Sequence, residues 1–463
     1  MHKHAWEMER ELRESAVPVD RRNEDSQWYE PDFEPPYGDA LIDLFWFSRV
    51  PGSSAPEVPY VSMVQAKGNL GYDVSAAERL LPEGLALHKD GKVDDLRALT
   101  AALMAALHKA PLDLESEYHR FEHPEDWTGI QAAMGDGVVD TPFEVDLANL
   151  PERVYYGWLG QLAGGSFGTA IEGYTGAQIK QVYGRVDGYI TEPETLNDDV
   201  VYELVLLDAI EKHGRAVTSG DVALEWVRQV PFGWSAEWVA LRNLNLGLTP
   251  PESGAWQNPY HDWIGGQMRG MICGMLAPGW PMAAARLAML DGVVSHAKNG
   301  VYGEIFAAVL TALAFVYDEP RALINAAQPY LQQGSQYADV VRSTLAVFKQ
   351  NPDPETCWPV LEKRFMQYNW IHAYPNIAAD LLALWFGEGN FTRTMALLAL
   401  AGNDIDCNAG LVGNILGVMN GVPADWADPI GDLLETYLKG KEQLSIRMLS
   451  EETVRLMGLL QRP

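Results

Sequence analysis

Two runs of glycine with the same spacing constrain this sequence more than any other feature. Glycines occupy positions 157, 160, 164 and 168, and again positions 410, 413, 417 and 421, so both runs step by 3, 4 and 4 residues. This step places each run on one helical face, where missing side chains let another backbone approach closely. Glycine costs about 1 kcal/mol per interior helical position relative to alanine. We therefore expect two glycine-faced helices in tight crossings, which explain these glycines without any catalytic role; Gly266, Gly270 and Gly274 repeat the step of four.

The chain after about residue 150 has the apolar periodicity of helices. Long segments of apolar periodicity follow one another, separated by turn clusters such as LTPPESG and QNPDPETCWP. Alternating patterns typical of strands are scarce. The sequence therefore predicts an all-α, compact multi-helix bundle.

The first part of the chain is less regular. It is aromatic and proline-rich from Trp28 to Pro59 and then has two helical stretches, Ser75 to His88 and Val93 to Ala110. A loop rich in Gly, Asp and Pro, from Pro124 to Pro151, is the candidate linker. We predict an N-terminal, mostly helical and extended appendage over 1–145, a helical domain over 146–440 and a C-terminal helix or tail over 441–463. The appendage could cover a cleft, mediate dimerisation or dock a partner, and its composition does not choose among these.

Charge limits the classes of partner. The sequence has 34 Lys and Arg residues and 63 Asp and Glu residues, which gives a formal charge of −29. This excess repels nucleic acid and anionic membrane surfaces. A small substrate that carries phosphate would need a local counter-charge, such as a metal ion. The sequence leaves homo-oligomerisation open.

The cysteines and the N-terminus indicate the compartment. Cys273, Cys357 and Cys407 lie far apart and form no CxxC pair, which favours a reducing, cytoplasmic environment. The first 15 residues are charged and lack the apolar core of a secretory signal. The longest uncharged run, Val154 to Ile171, nearly has the length of a membrane span, but its glycines and polar residues lower its hydrophobicity. We therefore expect a cytoplasmic protein without a membrane helix.

Two short acidic clusters stand directly before helix-like segments. One is LNDD at residues 196–199, and the other is NDIDCN at residues 403–408. Asn and Asp are ordinary helix N-caps, and this explains one acid per cluster. It does not explain pairs of aspartates entering apolar helices, because buried like charges raise each other's pKa unless a cation neutralises them. If the glycine-faced helices pack together, four distant aspartates could converge on one or two Mg²⁺ or Mn²⁺ ions.

Several sequence blocks together resemble the ADP-ribosylglycohydrolase family, which includes the dinitrogenase-reductase-activating glycohydrolase. GWLGQLAGGSFGTAIEG is similar to the family's opening glycine-rich helix, and LNDDVVYE to its first Thr-Asp-Asp-Thr block. The block that begins WIGGQMRG is similar to the central substrate-facing region. AGNDIDCNAGLVGNILG is similar to the closing Gly-x-Asp-x-Asp-Thr block, in the Asp-Cys-Asn form of a bacterial branch. The blocks follow the family's order and span about 290 residues, the predicted domain of 146–440.

The resemblance implies a function and a set of site residues. The implied enzyme is a Mg²⁺-dependent hydrolase, with two Mg²⁺ ions or with Mn²⁺, that cleaves an N- or O-glycosidic bond of ADP-ribose or a related ribosylated substrate. The alternative is a non-catalytic ADP-ribose-binding or structural protein that keeps the fold. By position, the resemblance assigns metal ligation to Asn197, Asp198, Asp199, Asp404, Asp406 and Cys407, catalysis to Glu172, Asp199 and Asp404, and contacts with ribose and phosphates to Gly265, Gly266, Gln267 and His296.

Some of these assignments have simpler alternatives or depart from the family pattern. Glu172 could be a solvated glutamate after a helix, and His296 could cap a turn. Asn197 and Cys407 stand where the family has threonine, and Gly165 stands where it has aspartate. An amide oxygen can still ligate a hard cation, whereas a thiol is a poor Mg²⁺ ligand, so one coordination position could pass to water or to Asn408.

Overall fold

The computed structural model describes residues 3–18, 20, 22 and 39–461, and these are almost entirely helical. The helices are α1 (Ala5–Ser15), α2 (Asp39–Trp46), α3 (Pro59–Asn69), α4 (Ser75–Glu78), α5 (Leu81–Lys89), α6 (Val93–His108), α7 (Trp127–Ala132), α8 (Leu150–Gly168), α9 (Gly176–Tyr183), α10 (Asp199–His213), α11 (Ser219–Gln229), α12 (Ser235–Asn245), α13 (Glu252–Ala255), α14 (Gly270–Leu276), α15 (Pro281–Gly292), α16 (Asn299–Ala314), α17 (Pro320–Ala327), α18 (Gln336–Gln350), α19 (Pro354–Phe365), α20 (Ala373–Gly387), α21 (Phe391–Ala401), α22 (Ile405–Asn420), α23 (Ala424–Ile430) and α24 (Ile446–Gln461). The all-α prediction is confirmed.

Strand structure is limited to two antiparallel pairs of two residues each in the described part. Strand β1 (Ser48–Arg49) pairs with β2 (Pro56–Glu57), and β3 (Leu434–Glu435) pairs with β4 (Gln443–Leu444). Short 3-10 turns lie at Glu117–Arg120, Gly214–Ala216, Gln267–Arg269 and Gln328–Tyr330. None of the described helices combines the length and the apolar character needed to cross a bilayer.

The two glycine-faced helices cross each other directly, as the spacing predicts. A Cβ atom on Gly160 would lie 2.1 Å from the carbonyl oxygen of Gly413, and one on Gly413 would lie 2.2 Å from the carbonyl oxygen of Gly160. A Cβ atom on Gly164 would lie 1.9 Å from the carbonyl oxygen of Ala409. The backbones of α8 and α22 are therefore in contact along the crossing, and no side chain fits between them.

The third glycine series packs against α16, the central helix of the core. A Cβ atom on Gly270 would lie 2.5 Å from the carbonyl oxygen of Glu304, and one on Gly274 would lie 2.5 Å from that of Ala308. Every residue of α16 is buried. A helix that is surrounded on all sides belongs at the centre of a large domain, and α14, α15 and α22 pack around this one.

The N-terminal residues share a smaller core with the helical domain. Trp46 of α2 is fully buried against Gly84, and its Nε1 donates a hydrogen bond to Thr100 Oγ1 at 2.8 Å. The same apolar cluster includes Val239 and Trp263, which follow residue 146. This part of the chain therefore packs onto the larger domain.

Two predictions about the N-terminal part have different outcomes. The helical stretches from Ser75 and from Val93 are confirmed as α4, α5 and α6. The aromatic and proline-rich part of the mostly helical and extended appendage, Trp28 to Pro59, is described only in part: residues 28–38 lie outside the described residues, and Asp39–Trp46 form the short helix α2. Burial of Trp46 stabilises this helix, a tertiary effect that local composition does not reveal.

The C-terminal helix predicted within 441–463 corresponds to α24. It packs against α8, where Trp158 Nε1 donates to Thr453 Oγ1 at 3.0 Å. The division into 1–145, 146–440 and 441–463 stays a prediction.

Gly164→Ala tests the helix crossing. The added methyl would meet a backbone carbonyl that cannot rotate away, so we expect a loss of about 1–3 kcal/mol in the free energy of unfolding, despite the gain of about 1 kcal/mol in helix propensity. The matched control is Gly165→Ala on the same helix, where the nearest atom to a Cβ would be Asn197 Nδ2 at 3.7 Å. The control should be neutral or stabilising in urea denaturation. Equal effects of both substitutions would contradict the account of the crossing.

Candidate active site

A cavity of about 500 Å³ lies between α10, α12, the start of α22 and the N-terminal residues. Carboxylates from three separate parts of the sequence line it together: Glu172, Asp198, Asp199, Asp404 and Asp406. The two acidic clusters, about 200 residues apart in sequence, thus face one space, as the glycine spacing led us to expect.

The helix crossing positions these carboxylates. A Cβ atom on Gly168, at the end of α8, would lie 2.2 Å from the backbone nitrogen of Asp406, so the end of α8 rests on the start of α22. One turn further along α22, a Cβ atom on Gly410 would lie 3.7 Å from Gln161 Cγ of α8 and 3.8 Å from Asp199 Oδ2 of α10. Close backbone approach at these glycines therefore brings the first turns of α10 and α22 together.

Helix capping does not account for the aspartates. Asp198 and Asp404 are the N-cap residues of α10 and α22, but neither side chain makes a capping hydrogen bond. Asn197 acts instead as a local bridge: its Oδ1 accepts the backbone N–H of Asp199 at 2.8 Å, and its Nδ2 donates to Asp406 Oδ2 at 3.0 Å. The Asn197 amide therefore links the two acidic clusters. The carboxylates of Asp198 and Asp404 make no capping hydrogen bond and remain available to a ligand in the cavity.

The potential ligand atoms form two groups that share Asp406. Glu172, Asp404 and Asp406 each offer one atom within 4.8 Å of the others, and so do Asp199, Asp406 and Cys407. Asp406 Oδ1 is buried without a hydrogen-bond partner. Cys407 Sγ lies 3.3 Å from Asp199 Oδ1, to which the thiol donates. A carboxylate common to two donor groups, with one oxygen unsatisfied, is suited to bridging two cations.

The electrostatics of the cavity floor favour bound cations. Burial raises the pKa of Asp198 to about 8, and the charges of Asp406 and Glu237 act in the same direction. Burial also raises the pKa of Asp199 and of Asp404 well above the ordinary value, with Asp406 as the next cause. Like charges in a low-dielectric site are costly until a cation neutralises them. The residues present therefore fit a divalent cation, with mainly oxygen donors.

Glu172 lies on the same floor and is not a solvated glutamate. It is 5% exposed, so the alternative of a free surface residue after α8 is wrong. Its pKa is raised well above the ordinary value by burial first, and then by the charges of Asp406, Asp404 and Asp198. A carboxyl group with a raised pKa keeps its proton to higher pH than an ordinary glutamate, which suits a role in proton transfer.

The residues expected to contact ribose and phosphates do not all reach the cavity. Gly265 lines it, but Gly266, Gln267 and His296 do not. Gln267 is buried and donates to Asp380 Oδ2 at 2.9 Å, while its Oε1 accepts from Tyr337 at 2.7 Å. Gln267 therefore does not contact a ligand in the cavity, because both ends of its amide are hydrogen-bonded within the core.

His296 is also a core residue in this structure. It is fully buried, and its Nδ1 is 2.7 Å from Ser295 Oγ. A Cβ atom on Gly265 would lie 2.0 Å from Glu237 Oε1 and 2.9 Å from His296 Cε1. His296 and Gly265 thus pack around the Glu237 side chain, and the expected contact of His296 with a ligand is not supported.

Sequence reasoning missed a buried ionic network behind the cavity. Arg269 is fully buried, and its guanidinium lies 2.6 Å from Asp291, 3.2 Å from Glu237 and 3.7 Å from Glu304. Of these acids, Glu237 lines the cavity. Burial raises its pKa to about 7, although the charge of Arg269 opposes this shift. A lone arginine inside the apolar block GGQMRGMICG was the available signal, because such a charge must find buried partners.

The walls of the cavity are apolar and aromatic. Trp238 of α12 and Phe45 of α2 have ring centroids 5.0 Å apart, and both line the cavity with Tyr260 and Trp263. Of the described lining residues, only Arg242 carries a positive charge. Residues of the N-terminal appendage thus form part of the cavity, the first of the three roles that its sequence left open.

The fold and the cavity define a class: an all-α protein with a buried carboxylate centre suited to divalent cations. The chain matches the family model described as ADP-ribosylglycohydrolase over residues 146–457, more than half of its length. It therefore belongs to the ADP-ribosylglycohydrolase family and is a hydrolase that acts on glycosidic bonds.

The chain was also compared with solved structures and with curated proteins. A solved structure of an ADP-ribosylglycohydrolase-related protein complex matches with a TM-score of 0.46 and 18% sequence identity, covering 68% of this chain and 99% of that one. No curated protein matches the chain.

Arg269→Met tests the buried network. Removing the cation leaves Glu237 and Glu304 uncompensated, so at pH 8 we expect a loss of about 3–5 kcal/mol in the free energy of unfolding. The loss should be smaller at pH 5. Without the guanidinium, the raised pKa of both glutamates in the folded state moves further up, so the folded variant keeps their protons while the unfolded chain releases them above the ordinary pKa of 4.5. The variant therefore loses stability as pH rises from there through the folded-state pKa.

The matched control for Arg269→Met is Arg455→Met. Arg455 is half exposed and paired with Glu211, and its removal should cost at most about 1 kcal/mol. Equal and pH-independent losses in guanidinium titrations of the two variants would contradict the network's role.

Proposed function

We propose that this chain is a Mg²⁺- or Mn²⁺-dependent glycohydrolase that cleaves an N- or O-glycosidic bond at the anomeric carbon of ADP-ribose or a related ribosylated substrate. One observation carries the proposal: two acidic clusters distant in sequence, together with Glu172, line one cavity and share Asp406 between two donor groups. Family membership supports the reaction class. The bond and the metal are the parts that require experiment.

Two cation positions follow from the donor groups. Glu172, Asp404 and Asp406 would hold one ion, and Asp199, Asp406 and Cys407 would hold the other. Asp198 lines the cavity beside both. Bound divalent cations supply charge that orients sugar hydroxyls and makes a bound water more acidic.

The protein's own groups then have distinct tasks. Glu172 lines the cavity beside both donor groups and would accept a proton from the attacking water or give one to the leaving group; its raised pKa strengthens its carboxylate as a base. Asp198, which lines the cavity and belongs to neither donor group, would present negative charge to the sugar, where positive oxocarbenium character develops as the bond breaks. Glu172 and Asp199 are 5% and 4% exposed and Asp198 is half-buried, so limited contact with bulk water strengthens charge interactions here.

The cavity also offers a place for a phosphate group. Arg242 is its positively charged lining residue and rests over the rings of Trp238 and Trp256, with its guanidinium carbon 5.8 Å from each centroid. No carboxylate in the described part of the chain forms an ion pair with it, and its hydrogen bonds go to Asn243 Oδ1. In a chain with a formal charge of −29, a cation left available in the substrate cavity suits a phosphate-bearing ligand.

A purely structural role is the weaker alternative. A scaffold gains nothing from several carboxylates packed in one buried site, because each raises the energy of the others. Their retention around a cavity of about 500 Å³, a volume typical of small-molecule sites, favours catalysis.

Glu172→Gln tests the proposal most simply. The amide cannot exchange a proton, so we expect turnover of ADP-ribosyl substrates to fall by about 10²- to 10⁴-fold. The melting temperature should be unchanged or higher, because one buried like charge is removed. Assays would cover ADP-ribosylated arginine, serine and nucleobase compounds.

Two controls accompany this variant. Glu152→Gln changes an exposed glutamate on α8 and should leave turnover unaltered. EDTA should abolish turnover in the wild type, with recovery on adding Mg²⁺ or Mn²⁺. Full activity in Glu172→Gln, or in EDTA, contradicts the proposed mechanism.

A further inference from the structure

The two donor groups around Asp406 differ in chemistry. Glu172, Asp404 and Asp406 offer only carboxylate oxygens, whereas the second group replaces one carboxylate with the thiol of Cys407. Cys407 lines the cavity and is 5% exposed, so an ion in the cavity can reach its sulfur. A second sulfur lies close by, since Met268 Sδ is 3.7 Å from Cys407 Sγ and Met268 also lines the cavity.

A separate observation indicates that this group holds a ligand. Asp406 is 3% exposed, and its Oδ1 has no hydrogen-bond partner. The Asn197 amide satisfies the other oxygen and fixes the carboxylate's orientation. A buried polar atom without a partner can be satisfied by a water or an ion, and at Asp406 the ligand atoms of Glu172, Asp404, Asp199 and Cys407 lie within 4.8 Å to share such an ion. This oxygen belongs to the one residue that the two groups share.

We propose that the two cation positions are chemically unequal: an all-oxygen position for Mg²⁺ and a mixed carboxylate–thiolate position for a softer divalent cation such as Zn²⁺ or Co²⁺. Sulfur ligands select softer metals, and Mg²⁺ is held by oxygen ligands almost exclusively. Binding at the mixed position forms a metal–sulfur bond and releases the thiol proton to solvent. The hydrogen bond from Cys407 to Asp199 is lost, and Asp199 becomes a ligand.

The test is titration of the metal-free full-length protein with Co²⁺, followed by absorption spectroscopy. A bond from cobalt to thiolate gives a charge-transfer band in the near ultraviolet. We expect this band in the wild type and in Cys357→Ser, whose sulfur lies outside the cavity, and its loss in Cys407→Ser. Changing an outer partner of a metal ligand typically costs about 10- to 100-fold in affinity. Loss of a direct ligand should weaken Co²⁺ binding at this position by at least about tenfold, with Mg²⁺ affinity unchanged or increased.

Either of two results overturns the inference: absence of the band in the wild type, or its persistence in Cys407→Ser. Circular dichroism of each variant confirms that the comparison is made on folded protein. The readout is independent of turnover, so it separates this proposal from the proposed catalytic activity.

A different observation carries a second inference, which concerns the N-terminal residues from 41 to 62, here called the N-terminal wall. Leu44, Phe45 and Val50 from this wall line the cavity. The wall is fixed to the domain near the end of α8: a Cβ atom on Gly52 would lie 2.3 Å from Thr169 Cγ2, and Tyr174 donates to Ser53 O at 3.2 Å. The N-terminal wall is therefore a packed, ordered side of the cavity.

The wall and α12 together form an aromatic recess. The ring centroids of Phe45 and Trp238 are 5.0 Å apart, and both side chains line the cavity. Tyr60 packs on Phe45 at 5.3 Å between centroids without lining the cavity. The catalytic carboxylates are deep below this recess, with Glu172 and Asp404 each 5% exposed. A bond to be cleaved must reach that depth, which a side chain on a folded protein surface does poorly.

We infer that the N-terminal wall selects small free ribosyl compounds with a planar aromatic leaving group over protein-linked ADP-ribose. This rests on the proposed function. Stacking of a base on an aromatic side chain contributes about 1–3 kcal/mol, equivalent to about 5- to 150-fold in affinity.

The test compares kcat/KM for three substrates: a ribosyl compound with a purine or pyridine leaving group, one with an aliphatic leaving group, and an ADP-ribosylated protein. The wild type should prefer the first. Phe45→Ala should raise KM for the aromatic compound by about 5- to 150-fold and affect the aliphatic one little. Phe47→Ala is the matched control, because Phe47 is a neighbouring, exposed residue that does not line the cavity.

The outcomes separate the two proposals. Preferred cleavage of the modified protein, or equal effects of Phe45→Ala and Phe47→Ala, overturns the selection by the wall and leaves the proposed hydrolysis standing. Turnover of none of the three substrates overturns the hydrolysis itself, and the selection with it.

Discussion

Backbone contact between α8 and α22 is the constraint on which the site depends. At Gly164 and Gly413 the helices approach so closely that any Cβ atom would overlap a carbonyl group. Side-chain packing alone would hold two helices about 8–10 Å apart, and the first turns of α10 and α22 would then no longer face each other. The cost of glycine inside two helices is offset by this close packing, and the ligand atoms of both Asp199 and Glu172 lie within 4.8 Å of those of Asp406 at the start of α22.

The crossing brings several buried carboxylates together, and their mutual repulsion is unfavourable unless positive charge compensates it. Several acids meet in a nearly dry space, and burial raises the pKa of Asp198 to about 8. Behind them, Arg269 neutralises a second acidic group from within the core. Of the described residues that line the cavity, only Arg242 is a cation, and it forms no ion pair with these carboxylates. A divalent cation offsets this repulsion and turns an unfavourable cluster into a binding site.

Sequence and structure agree where the signal is periodic or repeated. Glycine spacing predicted the crossing, and the acidic clusters predicted the shared floor, because both depend on local pattern and on one contact between helices. The sequence failed where placement depends on packing between distant elements. Gln267 and His296 belong to a block that resembles the family, but both side chains are buried in the core and do not line the cavity. Glu237 lines the cavity and contacts the buried Arg269, and neither property is visible in its local sequence. Phe45 could not be anticipated, because nothing in an irregular N-terminal stretch indicates which side of the domain it covers.

The central claim is that the two acidic clusters hold divalent cations around Asp406. Crystals grown with Mn²⁺ and measured for anomalous scattering test it most directly. The account predicts anomalous peaks within bonding distance, about 2.0–2.6 Å for oxygen ligands, of Asp406 and of carboxylates from both clusters. Peaks confined to surface acids, with Asp198 and Asp404 directed to separate solvent-exposed faces, would contradict it.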